Sequence, residues 1–125
     1  MIRLAVNGTL MRGLELNKNL LDIGAEFICE AKTKNCYRLY TINDVHPAMY
    51  KVNDDSGNTI SLEIWELTGD GLISILSNEP PGLCIGKIEL EDSSTILGVL
   101  GEGYLNENQQ EITQFGGWKE YINQG

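Results

Sequence analysis

TISLEIWEL, residues 59–67, sets Ile60, Leu62 and Ile64 on one side of the chain and Ser61, Glu63, Trp65 and Leu67 on the other. A period of two marks an extended chain with a face turned to a core, and the β-branched and aromatic content agrees. The stretch is a strand, with Glu63 as its anomaly: a carboxylate flanked by Leu62 and Ile64, on the face that carries Trp65. If that face lines a cavity, Glu63 needs a donor from a ligand or from a neighbour such as Arg38 or Tyr40. If it meets solvent, it needs none.

Outward from this strand the chain keeps to short elements. Thr68 stands where it caps a helix carrying Leu72, Ile73, Ile75 and Leu76, and Asn78-Glu79-Pro80-Pro81-Gly82 ends that helix, since neither proline suits a helix interior. On the other side NDDSGN (53–58) is a turn by composition. CYRLYTI (36–42) is a strand broken by Asn43-Asp44, and VHPAMYKV (45–52) an edge strand whose pairing Pro47 limits. Ile2–Val6 is a strand, and Asn17 is expected to cap a short helix through Leu20, Leu21 and Ile23 that stops at Gly24. Ala25, Phe27, Cys29 and Ala31 alternate as a further strand. Cys84–Leu90 and Thr95–Tyr104 are strands joined by the acidic turn EDSS (91–94). Trp118, Tyr121 and Ile122 have the spacing of a short closing helix on the core. The sum is six or seven strands, mostly in hairpin order, with two or three short helices. This predicts an α+β domain on a small, curled, mixed or antiparallel, barrel-like sheet.

The 125 residues are enough for one domain, residues 1–125, burying roughly 65–70% of its unfolded surface. A net charge of −9 opposes binding to nucleic acid or to an anionic membrane surface, both of which need a cationic footprint. No run approaches the roughly 18 apolar residues of a membrane span. No basic region leads into an apolar stretch, so no secretory signal is expected. The three cysteines, Cys29, Cys36 and Cys84, form no CxxC pair and are expected as small buried thiols, with the cytoplasm as compartment.

The opening loop, AVNGTLMRG (5–13), sets Thr9 and Arg12 between Gly8 and Gly13. Asn7-Gly8-Thr9-Leu10 either aims consecutive backbone N–H groups at a carboxylate or carbonyl oxygen, or is a tight turn that only needs glycine. Arg12 pairs with a carboxylate or is solvated. Glu79, between a helix and two prolines, is a general acid or base over a pocket mouth if partly buried, and a solvated turn residue otherwise. Glu102, between two glycines, is a weaker candidate of the same kind. His46, the one histidine, precedes a proline at a strand break and is expected as an exposed loop residue. With one histidine, no cysteine pair and no clustered carboxylates, neither metal nor cofactor is expected. GxSxG is absent, and GDGL (69–72) lacks the strand and GxxxxGK context of a phosphate loop.

NGTLMRG, YRLY (37–40), HPAMY (46–50), LEIWEL (62–67) and LSNEPPG (76–82) follow one another as in the γ-glutamylcyclotransferase-like superfamily. The chain resembles more closely the C-terminal domain of allophanate hydrolase. The matching residues are Gly8, Met11, Gly13, Leu16 and Asn17, then YRLY, Glu63 with Trp65, CIGKIEL (84–90), and EITQFGGW (111–118). Cyclotransferases carry an aromatic residue where this chain has Asn7 and a glutamate acid/base about where Glu79 falls. The allophanate hydrolase branch often carries a histidine at Leu10 and an apolar residue near Glu79.

The resemblance implies a cavity between Asn7–Gly13 and the residues near Glu63 and Glu79. Asn7, Gly8, Thr9, Leu10, Met11, Arg12 and Tyr40 would hold a small carboxylate or amide, urea-derived or γ-glutamyl in type, while Glu79 or Glu63 moves a proton. On the allophanate side it implies decarboxylation of an N-carboxyurea-type compound. The alternative is an accessory subunit that partners a separate amidase chain, since the small domain accounts for the whole sequence and the fused Ser-Ser-Lys amidase domain is not expected.

Overall fold

The alternating stretch is strand β5, Ser61–Leu67, and it is the hub of the molecule. In the computed structural model, which describes residues 1–124, it pairs antiparallel with both β1 (Ile2–Val6) and β2 (Glu26–Lys32). On the far side of β1 lies β7 (Thr95–Gly101), parallel to it, and β6 (Leu83–Glu89) pairs antiparallel with β7. The five-stranded order is β2-β5-β1-β7-β6. A second sheet holds β4 (His46–Lys51), β3 (Tyr37–Ile42) and the two-residue β8 (Gln110–Glu111), with β3 in the middle. Three short helices complete the fold: α1 (Asn17–Asp22), α2 (Gly69–Ser77) and α3 (Trp118–Ile122). None is long and apolar enough to cross a membrane among the described residues.

The expected α+β architecture with a curled mixed sheet is the one found. The two edges of the larger sheet approach each other at one end, where Thr33 bridges Leu90, the Lys34 N–H donates to the Glu89 carbonyl at 3.0 Å and the Glu91 N–H to the Lys32 carbonyl at 3.1 Å. The Tyr37 hydroxyl accepts the Glu89 N–H at 2.9 Å and fastens the second sheet to the same corner. The curl stops short of closure. Being central, β5 is covered on both faces: Leu62, Glu63, Ile64 and Trp65 are all buried. Around it pack Leu4, Val6, Leu20, Leu39 and Met49.

Several expectations are corrected. Only β3–β4 and β6–β7 are neighbours both in sequence and in the sheet, so hairpin order is the minority arrangement. The strand expected to run to Tyr104 ends at Gly101, because Gly103–Asn106 winds into a 3₁₀ turn. Asn17 does not cap α1; Leu16 holds that position, and the Asn17 amide instead donates to the Leu10 carbonyl at 2.8 Å. Cys29 is exposed and Cys36 and Cys84 are half-buried. A bulge explains the first: Phe27 pairs with Trp65 and Cys29 with the adjacent Ile64, so Ile28 breaks the alternation. Thr68 caps α2 as expected, its hydroxyl accepting the Gly71 N–H at 2.9 Å.

Candidate functional site

The opening loop leaves β1 at Val6 and is held by its carbonyls. The Met11 N–H donates to the Gly8 carbonyl at 3.0 Å, the Leu16 N–H to Thr9 at 3.0 Å, and the Asn17 amide to Leu10. This leaves the N–H groups of Gly8, Thr9 and Leu10 with no protein acceptor among the described residues. Gly8 is required by packing: a Cβ there would stand 2.6 Å from Cδ of Pro47. Gly13 is required by its backbone, at φ +78°. The Asn7 side chain turns inward and donates to the Val99 carbonyl at 2.9 Å, joining the loop to β7.

Beneath this loop lies a tight cavity of about 20 Å³, room for about one water. Asn7, Gly8, Thr9 and Leu10 form one wall; His46, Pro47 and Glu79 line it from other elements. Glu79 follows α2, its N–H donating to the Leu76 carbonyl at 3.2 Å, and Pro80 and Pro81 stiffen the chain behind it. Its carboxylate has no hydrogen-bond or ion-pair partner among the described residues, and burial pushes it up to about 7. A carboxyl of that kind holds its proton to far higher pH than an exposed one. His46 is not an exposed loop residue: it opens β4 and is 9% exposed. Its Nδ1 lies 3.0 Å from the Pro47 carbonyl.

Glu63 belongs to a different environment. It is 2% exposed. Oε1 accepts the Arg12 N–H at 2.9 Å and the Trp65 indole N–H at 3.2 Å; Oε2 accepts Arg12 Nε–H at 3.2 Å and Lys119 Nζ at 3.1 Å. Burial alone would push this carboxyl up, but the Arg12 amide, the lysine, the indole and the guanidinium together hold it below its usual range. The Arg12 guanidinium also lies 3.6 Å over the Phe27 ring. Met11, Glu63 and Lys119 floor an open groove of about 700 Å³, whose rim includes Glu30, Lys32 and Glu120.

The single cavity expected between the loop, Glu63 and Glu79 is therefore two. Asn7–Leu10 and Glu79 share the small one; Met11 and Glu63 line the groove, and Arg12 lines neither but donates its N–H to Glu63. Tyr40 lines neither: its ring stacks on Tyr50 at 6.0 Å and its hydroxyl accepts from Arg38 at 2.9 Å. Arg38 is held by Glu111 and not by Glu63. Glu102 is exposed and outside both. Sequence reasoning missed His46 as a cavity residue, and the signal was faint. Gly8 accepts Pro47 against its bare Cα, which draws the neighbouring histidine under the loop. Among the described residues no three His, Cys, Asp or Glu side chains gather as metal ligands would.

Set beside known proteins, residues 2–123 match the sequence model of the allophanate hydrolase C-terminal domain. The chain is 31% identical over 127 aligned positions to urea amidolyase of Saccharomyces cerevisiae, covering 97% of itself and 7% of that protein. Among solved structures it superposes on a uropathogenic E. coli-specific protein with a TM-score of 0.95 at 49% identity, covering 99% of this chain and 97% of that one. It superposes on Kluyveromyces lactis allophanate hydrolase with a TM-score of 0.91 at 32% identity, covering 98% of this chain and 21% of that one. An AIG2-like protein from Mus musculus shares the fold alone, at 20% identity, a TM-score of 0.63, and 84% and 78% of the two chains. The γ-glutamylcyclotransferase-like fold expected from the sequence is the fold found.

Proposed function

The chain belongs to the allophanate hydrolase C-terminal domain family, and on that premise we propose that it binds and transforms a small carboxylate or amide metabolite, urea-derived or γ-glutamyl in type, in the cavity under Asn7–Leu10. The observation that carries the reading is one juxtaposition. A partnerless Glu79, pushed up to about 7, shares a cavity one water wide with the unengaged N–H groups of Gly8, Thr9 and Leu10. Fixed N–H groups of this kind hold a ligand's carboxylate or carbonyl oxygen and stabilise charge that develops there. Glu79 supplies or removes the proton. Glu63 takes the opposite part: four donors keep it ionised, so it anchors the loop through Arg12 while Glu79 exchanges protons. Three unbridged cysteines support the cytoplasm as its compartment.

The test is thermal melting with γ-glutamyl amino acids, allophanate and malonate-like acids, on wild type and Glu79→Gln. A true ligand at about 100 times its Kd stabilises by about 2.7 kcal/mol. Turnover of a bound compound should be lost in Glu79→Gln. Absence of any thermal shift would remove the ligand site, and unchanged turnover would remove Glu79.

A second reading makes the domain an accessory to a separate amidase chain. One observation favours it: the chain spans 7% of the Saccharomyces cerevisiae urea amidolyase and 21% of the Kluyveromyces lactis allophanate hydrolase, so these relatives carry the domain within larger chains. An amidase gene beside this one, and co-elution of the two chains on size exclusion, would support that role.

A further inference from the structure

The only histidine of the chain lies in the cavity and has no part in the reading above. The residue is nine-tenths buried. A carbonyl oxygen has no hydrogen to give, so the 3.0 Å contact with Pro47 places the proton of the neutral imidazole on Nδ1. Nε2 is then a bare acceptor. It has no protein donor, yet the one buried, unpartnered side-chain N or O among the described residues is Asn106 Oδ1. Nε2 is therefore not sealed in protein, and His46 is one of the residues that line the cavity. Of the residues lining that space from the loop, β4, α2's end, β6 and β7, only Glu79 and His46 carry acid or base side chains. Asp44, in the turn before His46, is already engaged by the hydroxyls of Thr41 at 3.1 Å and Tyr121 at 2.6 Å.

We propose that His46 is a ligand-contacting residue whose Nε2 accepts a hydrogen bond from an N–H of the ligand, while the loop amides hold the oxygen beside it. This rests on the reading of the cavity as the ligand site, and it narrows the ligand. An acceptor facing a set of donors across a space one water wide matches a planar group with an N–H next to a carbonyl oxygen: the terminal group of a carboxamide, carbamate or urea. A plain carboxylate fills the donor side and leaves Nε2 unanswered. The small volume leaves the body of the ligand at the mouth.

A lone histidine gives one imidazole in nitrogen NMR. The free protein is expected to show the Nδ1–H tautomer; an Nε2–H tautomer overturns the proposal without reference to any ligand. Malonamate, the monoamide of malonate, should bind wild type about 3- to 10-fold more tightly than malonate, the reach of one hydrogen bond, and should move the Nε2 resonance. His46→Leu should erase that preference, whereas His46→Gln, which keeps an acceptor, should restore part of it. Equal binding of the two probes by wild type, or an Nε2 resonance that malonamate does not move, overturns the role of His46 while the cavity stands. Binding of neither probe overturns the ligand class and tells against the cavity itself.

Discussion

Glu63 and Arg12 are joined twice, Oε1 to the Arg12 backbone N–H at 2.9 Å and Oε2 to its Nε–H at 3.2 Å. One bond fixes the main chain of the opening loop and the other its side chain, so the central strand sets the loop's position from 51 residues away. The same carboxylate takes Lys119 from α3 and the indole of Trp65. A buried carboxylate with four donors is strongly held and poorly suited to give up its charge.

Glu63→Gln should therefore destabilise the fold by about 1–3 kcal/mol, since it retains one acceptor oxygen and turns an amide N–H toward cations. Lys119→Met, at a side chain one-third exposed, should cost about 1 kcal/mol or less. The carboxyl lies below its usual range in the folded state, so its contribution is complete above about pH 4.5 and is lost as pH falls through the folded value. Urea midpoints from pH 3 to 7 should fall with acid in wild type, with a shallower fall in Glu63→Gln.

Glu79 has the opposite sign. Burial raises its carboxyl to about 7, so the folded state holds a proton that the unfolded chain releases near 4.5. Stability is then full below about pH 4.5 and declines as pH rises towards 7 and beyond, by up to about 3 kcal/mol at about 1.36 kcal/mol per unit. Glu79→Gln should match wild type near pH 4 and melt higher than it at pH 8. Melting curves across that range measure the difference, and identical slopes would mean the carboxyl is not raised.

Gly8→Ala should disturb the small cavity more than the fold's other glycine turns do. Its new methyl would meet Cδ and Cγ of Pro47 at 2.6 and 2.8 Å, which forces the loop or the β4 strand to move, at about 1–3 kcal/mol. Gly13→Ala meets nothing within 4 Å and pays only for its positive φ, about 1 kcal/mol. Loss of ligand-induced thermal shift in Gly8→Ala, with the shift retained in Gly13→Ala, is the expected pair of outcomes.

The strands that place the site were legible because their signals are local. The alternation of residues 59–67 names β5, and Thr68 with Pro80-Pro81 brackets α2. Glu63 stood out as a carboxylate in an apolar strand, but its partners lie 51 and 56 residues away and no local pattern points to them. Arg38 and Tyr40 looked closer in chemistry and were wrong in place, because β3 belongs to the other sheet. β8 has two residues, too few to show any period. The burial of His46 depends on a glycine 38 residues earlier, a contact that exists only once the loop has folded over Pro47.

The separation of Tyr40 from the site makes a final comparison possible. Arg38 grips Glu111 through Nε at 2.8 Å and Nη2 at 2.6 Å, tying β3 to the short β8, and Nη2 also donates to the Tyr40 hydroxyl. A planar two-pronged grip is not reproduced by an ammonium, so Arg38→Lys should cost about 1 kcal/mol although the charge is kept. Tyr40→Phe removes one acceptor from an arginine that retains its carboxylate, and should cost about 0.5 kcal/mol or less. Neither residue lines the cavity under the opening loop. Both variants should therefore give the wild-type thermal shift with any compound that binds there, measured against their own melting temperatures. A shift lost in Tyr40→Phe but retained in Arg38→Lys would place Tyr40 in the ligand's path and redraw the cavity.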